Sequence, residues 1–277
     1  MNGTMLADLA VRVAEKRYPG AAQPAIAELA FELPARQFCC IVGPSGCGKT
    51  SLLNILAGLD RAARAEVRFG DGSTPAAAPI GYMFQTPRLL PWRTVRDNVR
   101  VVLDAQAVAA GRAEQLLDEM GLGTCLDAYP GQLSGGMQRR VALARAFAIE
   151  PRLLLLDEPF VSLDHPVAEH LRDMLLELWQ RHPTTVLFVT HDLREAIQLA
   201  DRILFLSRAP SQVILDVAVD LPRPRRAEDA ACEDFRRALL ARHRDLLAGV
   251  AEEGAEGVRC LGDGAMPKPF LMEHPAC

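Results

Sequence analysis

The octapeptide GPSGCGKT at residues 43–50 constrains the fold of this chain more than any other feature of its sequence. It follows the apolar run FCCIV at 38–42 and precedes the helical pattern SLLNILAGL at 51–59. A strand, a glycine-rich loop and a helix in this order form a phosphate-binding loop, because glycines let backbone N–H groups converge on phosphate oxygens at the positive end of the helix. The sequence therefore predicts a nucleoside triphosphate site within an α/β fold.

The residue types in this loop have physical roles in holding a nucleotide. Lys49 carries the positive charge that reaches the outer phosphates, and the Thr50 hydroxyl is a ligand for Mg²⁺. Lysine occurs only at 16, 49 and 268, so its presence in the loop by chance is improbable. The thiol of Cys47 is expected to favour its thiolate form beside a lysine and a helix N-terminus. We expect the whole loop to contact the nucleotide, namely Gly43, Pro44, Ser45, Gly46, Cys47, Gly48, Lys49, Thr50 and Ser51.

Short apolar runs recur along the chain and predict a parallel sheet that is covered by helices on both faces. These runs are FCCIV (38–42), IGYMF (80–84), RLLLL (152–156), TVLFV (185–189) and RILFL (202–206). A helix is predicted over 166–180, with Asp164 and His165 as capping candidates. The alternating segments at 6–18 and 65–69 predict a small antiparallel sheet beside this α/β core.

The patterning divides the chain into three parts. Residues 1–84 and 151–220 are predicted to form the α/β core together with the small N-terminal sheet, and residues 85–150 to form a helical insertion. Residues 221–277 are predicted to hold one amphipathic helix at 233–247, followed by a poorly ordered tail.

Charge and composition argue against several classes of protein. The net charge of −4 supplies no positive field to gather nucleic acid, so no nucleic-acid partner is expected. The basic cluster PRPRR at 222–226 is interpreted as a solvated linker. No apolar run reaches the roughly 18 to 20 residues of a membrane span, and the N-terminus lacks a signal-peptide core. The seven cysteines show no C-x-x-C spacing, which favours a reduced cytosolic chain over a disulfide or zinc framework.

A second motif supplies carboxylates. The segment LLLLDEP at 153–159 ends an apolar run in Asp157 and Glu158. The carboxyl end of a central strand faces the ligand crevice of an open α/β sheet. Asp157 is therefore predicted to hold Mg²⁺ through water, and Glu158 to polarise the water that attacks the terminal phosphate.

The segment LSGGMQ at 133–138 lies between these two motifs and closely resembles the signature motif of ATP-binding cassette (ABC) ATPases. The resemblance covers about residues 18–226. It implies a P-loop NTPase (RecA-like) α/β core with a flanking antiparallel β subdomain and an inserted helical subdomain. In that family two copies pack head to tail, and the signature of one copy caps the terminal phosphate held by the other, so the motif is an anion cradle used in trans. The resemblance assigns this contact to Ser134, Gly135, Gly136 and Gln138.

Other positions match the family residue by residue. Gln85 matches the glutamine that reaches Mg²⁺ and the attacking water, and His191 matches the histidine that contacts the terminal phosphate. Asp164 ends the segment VSLD, which resembles the loop that crosses the dimer interface, and Tyr18 is placed like the aromatic residue that stacks on adenine. The resemblance thus implies an ATPase that uses ATP and Mg²⁺, with Glu158, His191 and Gln85 as catalytic residues.

Two further segments resemble one branch of the family, the importer ATPases for nitrate, aliphatic sulfonates and taurine. They are FQTPRLLPWRTVRDNV at 84–99 and LPRPR at 221–225. The resemblance implies a peripheral subunit at the cytoplasmic face of the inner membrane, bound to permease subunits and to a second copy of the ATPase. A periplasmic or extracellular solute-binding protein is an indirect partner. Leu89, Leu90 and Trp92 form either an apolar socket for a helix of the permease or part of the core of the helical insertion.

Two alternatives stay open. An importer for another small solute, such as a pyrimidine precursor, an amino acid or a metal chelate, differs only at LLPW (89–92) and LPRPR (221–225). A soluble ABC protein that acts on DNA or ribosomes is disfavoured, since the chain has neither a long coiled coil between its phosphate loop and signature nor a second cassette.

Overall fold

The computed structural model describes residues 7–250, whose strands form two sheets. In chain order the strands are β1 (Ala7–Lys16), β2 (Ile26–Pro34), β3 (Phe38–Val42), β4 (Arg64–Phe69), β5 (Ile80–Met83), β6 (Leu153–Asp157), β7 (Thr185–Thr190), β8 (Arg202–Leu206) and β9 (Val213–Ala218). The larger sheet has the order β5-β6-β7-β3-β8-β9 and is parallel except for β9, which pairs antiparallel with β8. All of the predicted core strands lie in this sheet, while β9 at its edge was not predicted.

Both faces of the central sheet are apolar, which is why its strands are apolar at consecutive positions. In β3, Phe38, Cys40 and Val42 pack into one core cluster, and Cys39 and Ile41 pack into another. Successive side chains of a strand point to opposite faces, so the two clusters lie on opposite sides of the sheet. The strand that precedes the phosphate loop is therefore packed against a hydrophobic core on both of its faces.

The smaller sheet is antiparallel, with β1 between β2 and β4. The predicted pairing of β1 with β4 is present, and Val11 lies opposite Val67. Strand β2 was not predicted, although its alternating buried and exposed residues carry the signal of a half-buried strand.

The helices are α1 (Lys49–Leu56), α2 (Val95–Arg100), α3 (Ala105–Ala109), α4 (Arg112–Glu119), α5 (Gly135–Ala148), α6 (His165–Arg181), α7 (Leu193–Leu199) and α8 (Ala230–Arg242). Helices α2 to α5 lie between β5 and β6, in the stretch where helical periodicity dominates the sequence. Helix α6 matches the helix predicted over 166–180, with Asp164 at its N-cap and a proline in its first turn. Between residues 7 and 250, no helix is long and apolar enough to cross a membrane.

The interpretation of PRPRR at 222–226 as a solvated linker is wrong for Arg223 and Arg225, while Pro222, Pro224 and Arg226 are exposed. Arg225 is 4 % exposed, and its guanidinium donates to the carbonyls of Ile197 at 2.7 Å and Ala200 at 2.8 Å, at the C-terminus of α7. Arg223 donates to the Leu199 carbonyl at 2.5 Å and lies over the ring of Trp179. The last carbonyls of a helix lack partners within the helix and attract cations, so these guanidinium groups cap α7.

The C-terminal segment folds back towards the phosphate loop. Helix α8 begins three residues before the predicted 233 and ends at Arg242, and a short 3₁₀ turn follows at Leu246–Ala248. The Arg208 side chain donates to the Ala248 carbonyl at 2.8 Å, and its backbone N–H donates to the Gly249 carbonyl at 3.0 Å. The predicted tail after about residue 250 lies outside the described residues.

Candidate nucleotide site

The phosphate loop has the backbone that its glycines require. It joins β3 to α1, and Gly46 and Gly48 have φ angles of 78° and 102°, in the left-handed region. Gly48 is the N-cap of α1, so no side chain caps this helix and its first N–H groups stay free for an anion. A Cβ on Gly43 would lie 2.9 Å from Cys47 Sγ, so this position also excludes a larger residue.

Lys49 is held inside the loop that it is predicted to serve. Its Nζ donates to the carbonyls of Gly43 at 2.8 Å and Pro44 at 3.0 Å, and it lies 3.7 Å from Glu158 Oε1. The side chain is 6 % exposed. The ammonium group is thus already desolvated at the mouth of the loop, where phosphate oxygens can replace the carbonyls as acceptors.

Two of the three predicted magnesium residues, Thr50 and Asp157, are in contact, and the third, Gln85, is exposed in the loop after β5. Asp157 ends β6, and its Oδ1 accepts a hydrogen bond of 3.2 Å from Thr50 Oγ1. Burial raises the pKa of Asp157, although the Thr50 hydroxyl and the charge of Lys49 oppose this shift. A hydroxyl and a desolvated carboxylate are oxygen donors of the kind that Mg²⁺ binds, and a cation would stabilise the charged carboxylate. The residues present therefore fit a magnesium ion.

Glu158 and His191 form the second polar pair of the site. His191 Nδ1 lies 3.1 Å from Glu158 Oε2. Glu158 has a φ of 43°, which is rare for a residue with a side chain, and its N–H donates to the Val189 carbonyl at 3.0 Å. The Glu158 side chain is 19 % exposed, so water can reach a carboxylate that is oriented by a histidine and a lysine.

The signature segment forms a second helix N-terminus. Ser134 is the N-cap of α5, and its Oγ accepts from the Met137 N–H at 3.3 Å. Within residues 7–250, no hydrogen bond of the segment 133–138 reaches the loop 43–50. A Cβ on Gly135 would have no neighbour within 4 Å, so packing inside the chain does not account for the glycine. Gln138 binds the Pro130 carbonyl instead of facing outwards, with its Nε2 at 3.0 Å.

The remaining predicted site residues are at the surface. Tyr18 is 45 % exposed, and its hydroxyl shares a hydrogen bond of 2.7 Å with Ser51 Oγ, which ties the ring to the first turn of α1. Gln85 is exposed two residues after β5, and Asp164 at the N-cap of α6 makes no capping bond through its side chain. Lys16 Nζ lies over the Tyr18 ring, 4.6 Å from its centroid, so a base would stack on the opposite face of the ring. The exposed polar groups are available to a ligand or a second chain. Ser45 is likewise exposed in the loop.

The expectation of a thiolate at Cys47 is wrong. The side chain is 2 % exposed and packs into the core cluster below the loop. This burial raises the pKa of Cys47, and it outweighs the opposing effects of the Lys49 charge and of backbone hydrogen bonds. The loop thus holds a neutral thiol that fills space beneath Gly43.

Arg139 is a residue of this site that the sequence analysis missed. It lies on α5, is 8 % exposed, and donates to the backbone carbonyls of Gln85 and of Pro159, the residue that follows Glu158. Its position three and seven residues before Ala142 and Ala146, which are both buried, places it on the buried face of the helix. That spacing is visible in the sequence, but a buried arginine is uncommon and the pattern alone does not name its partners.

The fold and these loops define a P-loop nucleotide-binding domain, and known proteins resemble it closely. Residues 26–161 match the ABC transporter family. The chain is 41% identical over 246 residues to the aliphatic sulfonates import ATP-binding protein SsuB 2 of Burkholderia cenocepacia (strain HI2424), which covers 87% of this chain and 90% of that protein. It is 46% identical over 210 residues to a protein of the same name from Streptomyces avermitilis, covering 76% of this chain and 81% of that protein.

Solved structures of ATP-binding cassettes are also similar to this chain. The ATP-binding cassette MJ0796, in a dimeric post-hydrolysis state bound to ADP and Pi, superimposes with a TM-score of 0.67 at 28% identity and covers 77% of this chain and 100% of that chain. The chain belongs to the ABC transporter family, as an ATP-binding subunit. The predicted family, fold class and ATPase class are confirmed, and the names of these relatives agree with the prediction of an importer subunit.

Proposed function

We propose that this chain hydrolyses ATP as a subunit of an importer for aliphatic sulfonates or similar small anionic solutes. The single observation that carries the ATPase part is the convergence of the phosphate loop with two acids and a histidine, in which Glu158 lies beside both Lys49 and His191. The relatives named as aliphatic sulfonate import proteins support the solute class.

The residues divide the work of phosphoryl transfer to water. Lys49 exchanges its carbonyl partners for outer phosphate oxygens, and Glu158 accepts a proton from the attacking water while His191 orients its carboxylate. Thr50 and Asp157 would hold Mg²⁺, which would neutralise charge on the phosphates. Gln85, in the loop after β5, would contact the magnesium ion and the attacking water. Tyr18 offers its exposed ring to the adenine base.

Two copies of the chain are needed for a complete site in this proposal. The anion cradle at Ser134 and Gly135 does not reach the phosphate loop of its own chain, and the open space at Gly135 suits a group that approaches from outside. The dimeric state of the related cassette supports a head-to-tail pair. ATP drives closure only because it binds the closed pair more tightly than the open one.

The permease is proposed to dock beside Gln85, with the chain lying as a peripheral subunit on the cytoplasmic face of the membrane. A groove of about 370 Å³ runs between β5 and α5, and it is lined by Gly81, Phe84, Arg88, Leu90, Val102 and Arg145, among others. Trp92 is 72 % exposed and does not line the groove, while Leu89 packs against the core. In this proposal Leu89 belongs to the core of the helical insertion and Leu90 belongs to the socket.

A pull-down tests this function. The tagged full-length chain is incubated with detergent-solubilised membranes of its own organism, and the bound proteins are identified by mass spectrometry. We expect a polytopic permease, retained by the wild type and lost in Val102→Asp, whose side chain lies in the groove. Leu59→Asp is the control, because Leu59 is 62 % exposed but does not line the groove.

The solute is then tested with the recovered permease and its binding protein in vesicles. ATP-dependent uptake of an aliphatic sulfonate supports the proposal. Uptake of a pyrimidine precursor or an amino acid, without uptake of a sulfonate, would show that the importer transports that other class of solute. Recovery of only soluble or ribosomal proteins, with ATP present, would overturn the assignment to transport.

A further inference from the structure

The buried guanidinium of Arg139 joins the loop after β5 to the loop after β6. Its Nη1 donates to the Gln85 carbonyl at 3.1 Å and also to the Pro159 carbonyl, and its Nη2 donates to the Val161 carbonyl at 2.7 Å. These carbonyls belong to the two loops that carry Gln85 and Glu158. One side chain therefore contacts both loops within the chain.

The helix that carries Arg139 is the helix that begins at the signature. Ser134 caps α5 five residues before Arg139, so the backbone of Arg139 lies little more than one helical turn from the exposed Gly135. Arg145 on the same helix donates to the carbonyls of Pro87 at 2.8 Å and Arg88 at 3.0 Å. The segment 85–88 is thus held by α5 at two points.

The loop after Glu158 has a backbone that needs to be held. Glu158 and Ser162 have φ angles of 43° and 63°, a region that residues with side chains adopt only when surrounding contacts impose it. The carbonyls of Pro159 and Val161, which Arg139 binds, lie between these two positions. Arg139 is therefore placed to maintain the backbone that directs the Glu158 carboxylate.

We propose that Arg139 is a positioning residue that makes the signature helix, the Gln85 loop and the Glu158 loop move as one unit. The inference rests on the proposed ATPase function and adds the physical link between a signature that acts on one nucleotide and a carboxylate that acts on another. When α5 shifts, the guanidinium cannot leave its carbonyls without stranding buried donors, so both loops follow the helix.

The planar fork of arginine is required for this role. It presents five N–H donors in a fixed geometry, whereas lysine presents a compact ammonium group and glutamine only two donors. Arg140 offers a matched comparison, because it is the next residue of the same helix and, among residues 7–250, its guanidinium donates to the Met120 carbonyl at 3.1 Å and to neither loop. A substitution there removes a guanidinium from α5 without touching either loop.

The test compares Arg139→Gln, Arg139→Lys and Arg140→Gln in the full chain. Steady-state ATPase rates, equilibrium ATP binding and thermal unfolding are measured for each. We expect kcat of Arg139→Gln to fall by about 10²-fold, as when a reacting group is displaced by about 1 Å. ATP binding should stay close to that of the wild type because the phosphate loop is untouched. Arg139→Lys should recover part of the rate. Arg140→Gln should keep most of the wild-type rate, because Arg140 binds neither loop although it lines a pocket with Ser134 and Gly136.

A second measurement does not depend on turnover. It reports on the segment at residues 161–164 through dimer formation, because this segment is predicted to cross the dimer interface. In a Glu158→Gln background, dimer formation with MgATP is measured by analytical ultracentrifugation. We expect the added Arg139→Gln change to weaken the ATP-dependent dimer and the added Arg140→Gln change to leave it intact. If Arg139→Gln fails to fold, Arg139→Lys carries both comparisons, since it keeps the charge and the apolar stem.

The outcomes separate the inference from the function on which it rests. A wild-type chain that binds and hydrolyses no ATP would overturn the proposed ATPase, and the inference with it. An active wild type whose Arg139 variants match Arg140→Gln in kcat and in dimer formation would overturn the positioning role alone. Equal losses of kcat and of ATP affinity would also overturn it, because they would indicate general damage to the fold.

Discussion

His191 Nδ1 and Glu158 Oε2 are 3.1 Å apart, across the ends of the neighbouring strands β7 and β6. The other carboxylate oxygen of Glu158 lies 3.7 Å from Lys49 Nζ. The carboxylate is thus oriented on both sides before any nucleotide arrives. A base that is already oriented needs little reorganisation in the reaction, so we expect the rate of hydrolysis to depend strongly on the Glu158 carboxylate.

Replacing Glu158 by glutamine should separate binding from hydrolysis. The amide keeps the shape of the side chain but cannot accept the proton of the attacking water, so we expect kcat to fall by about 10²- to 10⁴-fold. ATP binding should persist, and a dimer should accumulate with MgATP in size-exclusion chromatography. Glu177→Gln is the control, since Glu177 is an exposed acid on α6. A variant that hydrolyses rapidly, or that stays monomeric with MgATP, would contradict the assignment.

Replacing Lys49 by alanine should remove ATP binding itself. The Nζ group is buried and bound to loop carbonyls, so its loss removes the charge that phosphates meet and leaves those carbonyls without their partner. We expect affinity to fall at least about 30-fold, equivalent to about 2 kcal/mol. Isothermal titration with ATP measures this directly. An affinity within a few-fold of the wild type would show that another group holds the phosphates.

Cys47 should react slowly with alkylating agents in the folded protein. Burial raises the pKa of its thiol, so at neutral pH the reactive thiolate is rarer than in an ordinary cysteine. Cys125 is partly exposed and provides the internal comparison. Under limiting iodoacetamide, mass spectrometry of the peptides should show Cys125 modified before Cys47, and in denaturant the difference should vanish. Faster labelling of Cys47 in the native chain would restore the expectation of a thiolate.

The parts of the site that were predictable from sequence are those carried by contiguous residues. The phosphate loop, the acid pair at the end of β6 and the signature each place their functional residues at a strand or helix boundary within a short contiguous segment, so the local sequence pattern reveals both the boundary and the residues. The roles of Arg139 and Arg225 depend on carbonyls that lie 20 to 54 residues away in the chain. The burial of Cys47 likewise depends on the packing of distant strands. Local periodicity carries no information about such partners.

The docking of the LPRPR segment should contribute strongly to stability. Arg225 is buried and makes two charge-assisted hydrogen bonds to α7, so its replacement by alanine leaves the helix end uncapped. We expect Arg225→Ala to lower the free energy of unfolding by about 2 to 3 kcal/mol. Arg226→Ala should lower it by less than about 1 kcal/mol, because Arg226 is half exposed and pairs with Asp173 at the surface. Equal effects in urea denaturation would restore the interpretation as a solvated linker.

Gly249 should influence ATP affinity from outside the nucleotide site. Its φ is 70°, and a Cβ there would lie 2.9 Å from Pro44 Cγ and 2.7 Å from the Arg208 backbone nitrogen. Pro44 supplies a carbonyl to Lys49, so pushing Pro44 away disturbs the loop that holds the phosphates. We therefore expect Gly249→Ala to reduce ATP affinity several-fold in isothermal titration.

Gly111→Ala is the matched control for this change. Gly111 has a φ of 72°, and a Cβ added there would meet no atom within 4 Å, so both variants carry the same backbone strain but only one meets the phosphate loop. Each should lose about 1 to 2 kcal/mol of stability from the left-handed conformation. Only Gly249→Ala should lose affinity, because only that Cβ displaces Pro44. Equal ATP affinities in the two variants would mean that the C-terminal turn packs against the loop without setting its geometry.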